Sequence, residues 1–113
     1  MKVFVEASIL VETLNREYPL FNWSVRLLSL HKKHNIRLFT SPLCLANAFY
    51  FATKNSGEVV AKKKIELLCE NLGVTTINQE ITEQAAKNQK ISDFEDGLQY
   101  YLALYQKCNY IVT

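Results

Sequence analysis

Three carboxylates stand where folding of the chain can bring them together. Glu6 directly follows a short apolar run, residues 2–5, and Asp93 and Asp96 lie three residues apart at the start of a predicted helix. That separation places both aspartates on one side of a helical turn. Clustered carboxylates are tolerated best around a divalent cation, and all-oxygen ligands favour Mg²⁺ or Mn²⁺ over zinc. Metal-assisted hydrolysis of a phosphodiester is the reaction that such a cluster serves.

The same acids also have a purely structural explanation. Acidic residues in the first turn of a helix are stabilised by the helix dipole. Residues 92–95, with sequence SDFE, fit a capping box in which Ser92 is the N-cap and Glu95 its partner three residues on. Spacing alone therefore leaves both the metal-binding and the structural interpretation open.

Other features of the sequence are less specific. Lysines 62–64 either contact an RNA backbone or form a solvated helix face. The aromatic residues at 49–51 and at 100, 101 and 105 either stack on unpaired bases or fill the core or a dimer interface. The chain has no glycine-rich phosphate loop, nucleophile elbow or HExxH pattern, which removes support for nucleotide-dependent, serine-hydrolase and zinc-protease chemistry.

Composition indicates one compact domain of mixed structure. The 113 residues are 49% hydrophobic and 21% charged, and a formal charge of +2 singles out neither nucleic acid nor membrane as a partner. With only three glycines and two prolines, the chain favours helices with a few strands over a sandwich of many tight turns.

The cysteines and the N-terminus predict a reducing compartment. Cys44, Cys69 and Cys108 are widely spaced and form no CxxC motif, so we expect reduced thiols in the core rather than disulfides or a zinc site. The first apolar run ends at Glu6, too early for a signal peptide, and no later run is long enough to span a membrane. We therefore expect a cytoplasmic protein with no membrane partner.

Hydrophobic periodicity and capping residues predict the elements that position the acids. Strands are expected at residues 2–5, 36–40, 74–77 and 110–113. Between them we expect pairs of helices, which begin near Ser8, after Pro19, at Ser41-Pro42, at Glu58, after Asn78 and at Ser92. Asn35 is expected to end the second helix, and Gly73 to end the fourth in a left-handed conformation.

This order of elements predicts the fold class. Long helical connections are what parallel strands require, so we expect an α/β fold: a three-layer α/β/α sandwich around a parallel sheet of about four strands, with right-handed crossovers. Residues 1–113 form a single domain in this interpretation. Ligands of such sheets bind at the carboxyl ends of the strands, where Glu6 lies.

Four segments of the chain resemble the PIN-domain family, and together they span nearly its whole length. Residues 1–10 (MKVFVEASIL) are similar to the family's first strand and the start of its first helix, and residues 41–50 (SPLCLANAFY) to its central helix. Residues 93–101 (DFEDGLQYY) resemble the family's DFEDALQ segment, and residues 108–113 (CNYIVT) the strand after it.

This resemblance implies an activity and a site. PIN domains are, as a family, Mg²⁺- or Mn²⁺-dependent ribonucleases, many of them VapC-type toxins of toxin-antitoxin pairs and usually dimeric. The resemblance thus implies an RNA substrate, an antitoxin partner and a homodimer. By position, the metal ligands would be Glu6, Asn47, Asp93 and Asp96, of which Glu6, Asp93 and Asp96 would be catalytic. Ser8 and Thr113 match supporting hydroxyl residues.

The sequence departs from the family pattern at three places. Glu6 stands where the family has Asp, and Asn47 where many members have Glu. The family's usual fourth acid, last strand and last helix would follow Thr113, so we expect either a shortened domain or a natural C-terminal tail beyond this sequence. One alternative is therefore a catalytically degenerate or truncated PIN-like domain that binds nucleic acid or protein. A signalling receiver also gathers acids at strand ends, but its crossovers would be single helices.

Overall fold

Four short parallel strands form the sheet at the centre of the molecule. The computed structural model describes residues 1–15, 29 and 35–113. The strands run in the spatial order β3-β2-β1-β4 and every neighbouring pair is parallel. Their bounds are β1 Lys2–Val5, β2 Arg37–Thr40, β3 Gly73–Val74 and β4 Tyr110–Val112. The predicted α/β fold with a parallel sheet of about four strands is confirmed.

Five helices connect these strands within the described residues. They are α1 Ala7–Asn15, α2 Pro42–Ser56, α3 Glu58–Asn71, α4 Gln79–Lys87 and α5 Phe94–Tyr105. The second and third crossovers each contain the predicted pair of helices. The helix expected after Pro19 lies outside the described residues, and Asn35, its expected end, has a left-handed φ of 55°.

The strand order reverses at β1, and this reversal defines where a ligand can bind. From β1 the chain moves to β2 and β3 on one side, and then returns to place β4 on the other side of β1. Right-handed crossovers accordingly put α1 to α3 on one face of the sheet and α4 and α5 on the opposite face. Helix α1 packs on α2, and α4 packs on α5. The crevice at the carboxyl ends of β1 and β4 is the switch point of the fold.

Burial of β1 on both faces explains its sequence. Val3, Phe4 and Val5 are all buried, and Phe4 and Val5 are fully so. A strand that is covered by helices on both faces reads as a continuous apolar run rather than an alternating one. The run ends at Glu6, where the chain leaves the sheet.

The predicted helix starts at Ser41-Pro42, Glu58 and Asn78 are confirmed, and the one at Ser8 is wrong. The Ser41 hydroxyl accepts a hydrogen bond from the Cys44 amide at 3.1 Å, with Pro42 in the first turn, and the Asn78 side chain accepts from the Ile81 amide at 2.9 Å. Ser8, however, lies inside α1, which begins at Ala7. The chain turns directly out of β1, so the helix starts one residue earlier than the hydroxyl suggests.

Gly73 has a different role from the one predicted. Helix α3 ends at Asn71, Leu72 is already extended, and Gly73 opens β3. A Cβ at Gly73 would lie 2.6 Å from the Cδ1 atom of Phe39. The ring of Phe39 on β2 therefore requires glycine at position 73. The glycine with a positive φ is instead Gly57, which lies between α2 and α3 and has a φ of 82°.

The three cysteines are free, as predicted, but they do not all lie in the core. Cys44 is buried, Cys108 is half-buried and Cys69 is exposed. Burial raises the pKa of the Cys44 and Cys108 thiols. The expectation of core thiols is thus wrong for Cys69. In the part of the chain that the structure describes, no helix is long and apolar enough to span a bilayer.

We expect Gly73→Ala to destabilise the fold. Phe39 is buried, and Lys2 Nζ and the Arg37 guanidinium lie over its ring at 5.7 and 5.4 Å from the centroid, so the ring has little room to move. Overpacking of this kind costs roughly 1–3 kcal/mol. Urea unfolding followed by circular dichroism measures the loss, with Val74→Ala at an exposed neighbouring position as control. An unchanged midpoint for Gly73→Ala would show that the ring yields freely.

Candidate acidic site

The backbone of Glu6 is fixed at the switch point by hydrogen bonds to two elements. Its amide donates to the Val112 carbonyl of β4 at 3.0 Å, and its carbonyl accepts from the Ile9 amide of α1 at 3.2 Å. Glu6 is thus the single residue between the end of β1 at Val5 and the start of α1 at Ala7. The Glu6 side chain is half-buried beside the crevice between β1 and β4.

The first turn of α5 supplies the other acids. Asp93 is the N-cap of this helix, and its Oδ1 accepts a hydrogen bond from the Asp96 amide at 3.0 Å. Glu95 and Asp96 follow within the first turn, where the helix dipole stabilises negative charge. Further along α5, Gln99 is buried and its Oε1 has no hydrogen-bond partner among the described residues.

The predicted capping box is wrong. Asp93, not Ser92, is the N-cap, because its short carboxylate reaches the amide three residues ahead. Glu95 does not turn back towards its own helix start. Its Oε1 instead accepts a hydrogen bond from Nδ2 of Asn47 on α2. This contact joins α2 to α5 across the site.

Electrostatic repulsion shows which carboxylates lie close together. Burial raises the pKa of Glu6, and the charges of Asp96 and Glu95 raise it further. The carboxylate of Glu6 therefore shares its surroundings with two acids from α5. The first crossover and the last helix meet here although about ninety residues separate Glu6 from Asp96.

A groove opens beside these acids. It has a volume of about 650 Å³ and is lined by residues of α1, α2 and α5: Ala7, Ser8, Val11, Glu12, Asn47, Tyr50, Phe51 and Glu95. Asn47 and Glu95 belong to both the groove and the acid cluster. The groove and the cluster are therefore contiguous.

Only some of the predicted site residues lie at the acid cluster. Glu6, Asp96 and Asn47 lie at the cluster, the last through its bond to Glu95, and Ser8 is exposed at the groove. Asp93 caps α5, and Thr113 is exposed after β4. Glu95 is the functional candidate that the sequence analysis missed, because the capping-box pattern accounted for it.

The donor types of the cluster suit a hard divalent cation, although the ligand set is not complete. Within residues 1–15, 29 and 35–113, no group of three or more His, Cys, Asp or Glu side chains is arranged to hold a metal ion. Mg²⁺, however, commonly binds through one or two carboxylates together with waters and substrate phosphates. The carboxylates of Glu6, Glu95 and Asp96 are donors of that kind, and burial together with the charges of the other two acids raises the pKa of Glu6.

Substitutions at Asp93 separate its capping role from its charge. We expect Asp93→Ala to lower the free energy of unfolding by about 1 kcal/mol, because the Asp96 amide loses its acceptor. Asp93→Asn should retain the stability, since Asn caps as well as Asp. Urea unfolding of the metal-free chain tests both, with Ser92→Ala as control. A larger loss for Ser92→Ala than for Asp93→Ala would contradict this assignment of the cap.

Because the pKa of Glu6 is raised, we predict that the free energy of unfolding depends on pH through this residue. The unfolded chain releases this proton near pH 4.5, whereas the folded chain retains it to higher pH. The folded state thus binds more protons in this window, and stability falls as the pH rises through it. Glu6→Gln should therefore be more stable than the wild type at pH 7, with a gain that shrinks below pH 4.5.

Thermal unfolding between pH 3.5 and 7 measures this gain. Glu58→Gln, at an exposed acid in the first turn of α3, is the matched control and should show no comparable gain. Equal stability of Glu6→Gln and wild type at pH 7 would mean that the Glu6 carboxylate is not strained by its neighbours.

Comparison with known proteins gives the family. The sequence pattern described as "PIN domain" matches residues 2–113. Among solved structures, the crystal structure of Mycobacterium tuberculosis VapC20, described as a sarcin-ricin loop cleaving toxin, is similar with a TM-score of 0.75 and 16% identity; the alignment covers 96% of this chain and 86% of that one. No curated protein of similar sequence is found. With its parallel sheet and its match over nearly every residue, the chain belongs to the PIN-domain family.

Proposed function

We propose that this PIN-domain chain is a metal-dependent endoribonuclease and the toxin of a toxin-antitoxin pair. The observation that carries the proposal is the position of Glu6 at the switch point beside Asp96 and Glu95, where burial and, after it, the charges of these two acids raise the pKa of Glu6. Family membership supports it, as does the likeness to a toxin that cleaves the sarcin-ricin loop.

The carboxylates of Glu6, Glu95 and Asp96 are the proposed ligands for Mg²⁺ or Mn²⁺. Asp93 and Asn47 remain proposed members of the site, Asp93 beside Asp96 and Asn47 through its contact with Glu95. When bound, the metal would supply polarisation of the phosphate and activation of a water molecule. A cation would also relieve the repulsion that raises the pKa of Glu6.

The chain's own residues set the positions of these groups. Main-chain hydrogen bonds to β4 and α1 hold Glu6 at the mouth of the crevice. The Asn47 amide donates to Glu95 and so fixes the orientation of that carboxylate. Asp93 holds the first turn of α5 and thereby the backbone of Asp96. The acids are thus prepositioned for a phosphodiester that enters along the groove.

Substrate, partners and location follow from the proposed activity. We propose RNA as the substrate, an antitoxin protein as the inhibitor, a homodimer as the active assembly and the cytoplasm as the compartment. Ser8 at the groove and Thr113 after β4 are proposed supporting hydroxyl residues. Residues 1–113 are proposed to form a single PIN domain.

Cleavage of an end-labelled single-stranded RNA tests the activity. With Mn²⁺ or Mg²⁺ we expect cutting that EDTA abolishes. Asp96→Asn should reduce the rate of cleavage by roughly tenfold to a hundredfold or more. Losses of this size follow when a residue that only hydrogen-bonds to a metal ligand is removed, so loss of a proposed ligand should cost at least as much. The reason is that the substitution removes the charge of one of the three carboxylates proposed to hold the metal.

Glu58→Gln is the control for cleavage, because it neutralises another acid in the first turn of a helix. Preparation of all chains in the same way excludes a contaminating nuclease. Cutting by Asp96→Asn at the wild-type rate, or no cutting by the wild type with any metal, would refute the proposed activity and leave a degenerate domain that only binds.

A further inference from the structure

Gln99, in the second turn of α5, is a buried polar side chain whose hydrogen bonding the fold leaves incomplete. In the described part of the chain, the buried polar side chains are Thr40, Ser41, Thr75 and Gln99. Thr40 and Thr75 donate to main-chain carbonyls at 2.9 and 3.1 Å, and Ser41 accepts from a main-chain amide at 3.1 Å. Gln99 is only 3% exposed, and no described residue donates to its Oε1.

The unpartnered oxygen of Gln99 destabilises the fold in which it lies. Folding removes this carbonyl oxygen from water without giving it another donor. Two further oxygens without a partner, Oδ1 of Asn15 and Oγ1 of Thr53, belong to side chains that are only half-buried, in the last turns of α1 and α2. Gln99 is buried as a whole, so its unpaired oxygen requires an explanation, such as a bound ion or water.

Helix geometry directs the side chain of Gln99 towards the acid cluster. Gln99 follows Asp96 by three residues and Glu95 by four, and residues at these spacings are neighbours on one side of a helix. Helical side chains also lean towards the N-terminus, so that of Gln99 lies over the turn that carries the two acids. Asp96 is exposed and Glu95 half-buried, whereas Gln99 is buried. The Gln99 amide therefore lies beneath the carboxylates, on the inner side of α5.

A hydrated divalent cation in the acid cluster would supply the missing donor. Mg²⁺ commonly binds through one or two carboxylates and keeps several of its waters. The charge of the ion makes the O–H groups of these waters strong hydrogen-bond donors. A neutral carbonyl oxygen accepts from such a water without adding a further negative charge to Glu6, Glu95 and Asp96, whose charges already repel one another.

We propose that Gln99 is a positioning residue of the acid cluster, whose Oε1 accepts a hydrogen bond from a water of a divalent cation bound by the carboxylates. This inference deepens the proposed function and rests on it for the cation. The same side chain thus has opposite effects in the two states of the protein. It lowers the stability of the metal-free chain, and it raises the affinity of the folded chain for the metal.

Mn²⁺ binding, followed by the electron paramagnetic resonance signal of the free ion, tests the proposal. Gln99→Met is the first variant, because methionine is an unbranched helix former without a carbonyl oxygen. It should weaken Mn²⁺ binding roughly ten- to hundredfold, as loss of an outer partner of a metal ligand does. Gln99→Glu retains an oxygen acceptor on a side chain of the same length and should bind Mn²⁺ at least as tightly as the wild type. Weakened binding by Gln99→Glu as well would contradict the proposal.

Urea unfolding of the metal-free chain separates this role from a purely structural one. Gln99→Met should raise the midpoint of unfolding, because an apolar side chain replaces a buried oxygen without a partner. Gln99→Leu repeats the comparison with a different apolar shape. A lowered midpoint with unchanged Mn²⁺ affinity, or failure of both variants to fold, would assign Gln99 to packing alone and overturn the proposal.

Thr53→Val is the matched control for both measurements. It also removes an oxygen without a hydrogen-bond partner, but from a residue of α2 that does not line the groove beside the acids. Its Mn²⁺ affinity should equal that of the wild type. A loss as large as that of Gln99→Met would show that the effect is not specific to position 99 and would refute the proposal.

The outcomes distinguish this inference from the proposed activity. If the wild type binds Mn²⁺ but cleaves no RNA, and Gln99→Met binds Mn²⁺ more weakly, the role of Gln99 is supported and the proposed activity fails. If the wild type cleaves RNA and Gln99→Met binds Mn²⁺ as tightly as the wild type, the role of Gln99 is refuted and the activity is retained. Absence of Mn²⁺ binding by the wild type refutes the role of Gln99 as well.

Discussion

The parallel pairing of β1 with β4 is the contact on which the site depends. It joins the two ends of the chain: the Asn109 amide donates to the Lys2 carbonyl at 2.7 Å, and the Lys2 amide donates to the Asn109 side chain at 2.9 Å. At the other end of the same pair, the Glu6 amide reaches Val112. Because this pairing joins residues 107 positions apart, the acids are brought together by a non-local contact, which costs loop-closure entropy.

The site combines local stabilisation with long-range repulsion. The first turn of α5 favours acids through the helix dipole and the Asp93 cap, so Glu95 and Asp96 are stable there on local grounds. The fold then brings Glu6 against them, half-buried and with a raised pKa. The β1–β4 pairing and the burial of Val3, Phe4 and Val5 hold the arrangement together against this repulsion. Acids forced together by a rigid scaffold are what a binding site for a cation requires.

The sequence correctly predicted several features that neighbouring residues determine. The apolar run of β1 and the caps Ser41 and Asn78 are settled by neighbouring residues, and the structure confirms them. Two local predictions failed, the helix start at Ser8 and the cap at Ser92, and two other failures concern tertiary contacts. Gly73 is explained by the ring of Phe39 on another strand, and Glu95 by the amide of Asn47 on another helix. The residues next to Gly73 and Glu95 in the sequence do not indicate these two contacts. By contrast, the order of strands and helices led us to expect that Glu6 and Asp96 would lie near one another.

The residue at position 47 bears on whether the site has lost the ability to bind a metal ion. The resemblance places an acid there in many PIN domains, and a glutamate beside Glu95 would add a fourth negative charge to this cluster. Asn47 instead donates a hydrogen bond to Glu95, which converts a repulsive pair into an attractive one. The side chain of Glu6, longer by one methylene than an aspartate, projects into a site that already carries less charge. Of the two departures from the family pattern, only Asn47 lowers the repulsion of the metal-free cluster, because Glu6 carries the same charge as an aspartate; the oxygen donors of Glu6, Glu95 and Asp96 are retained.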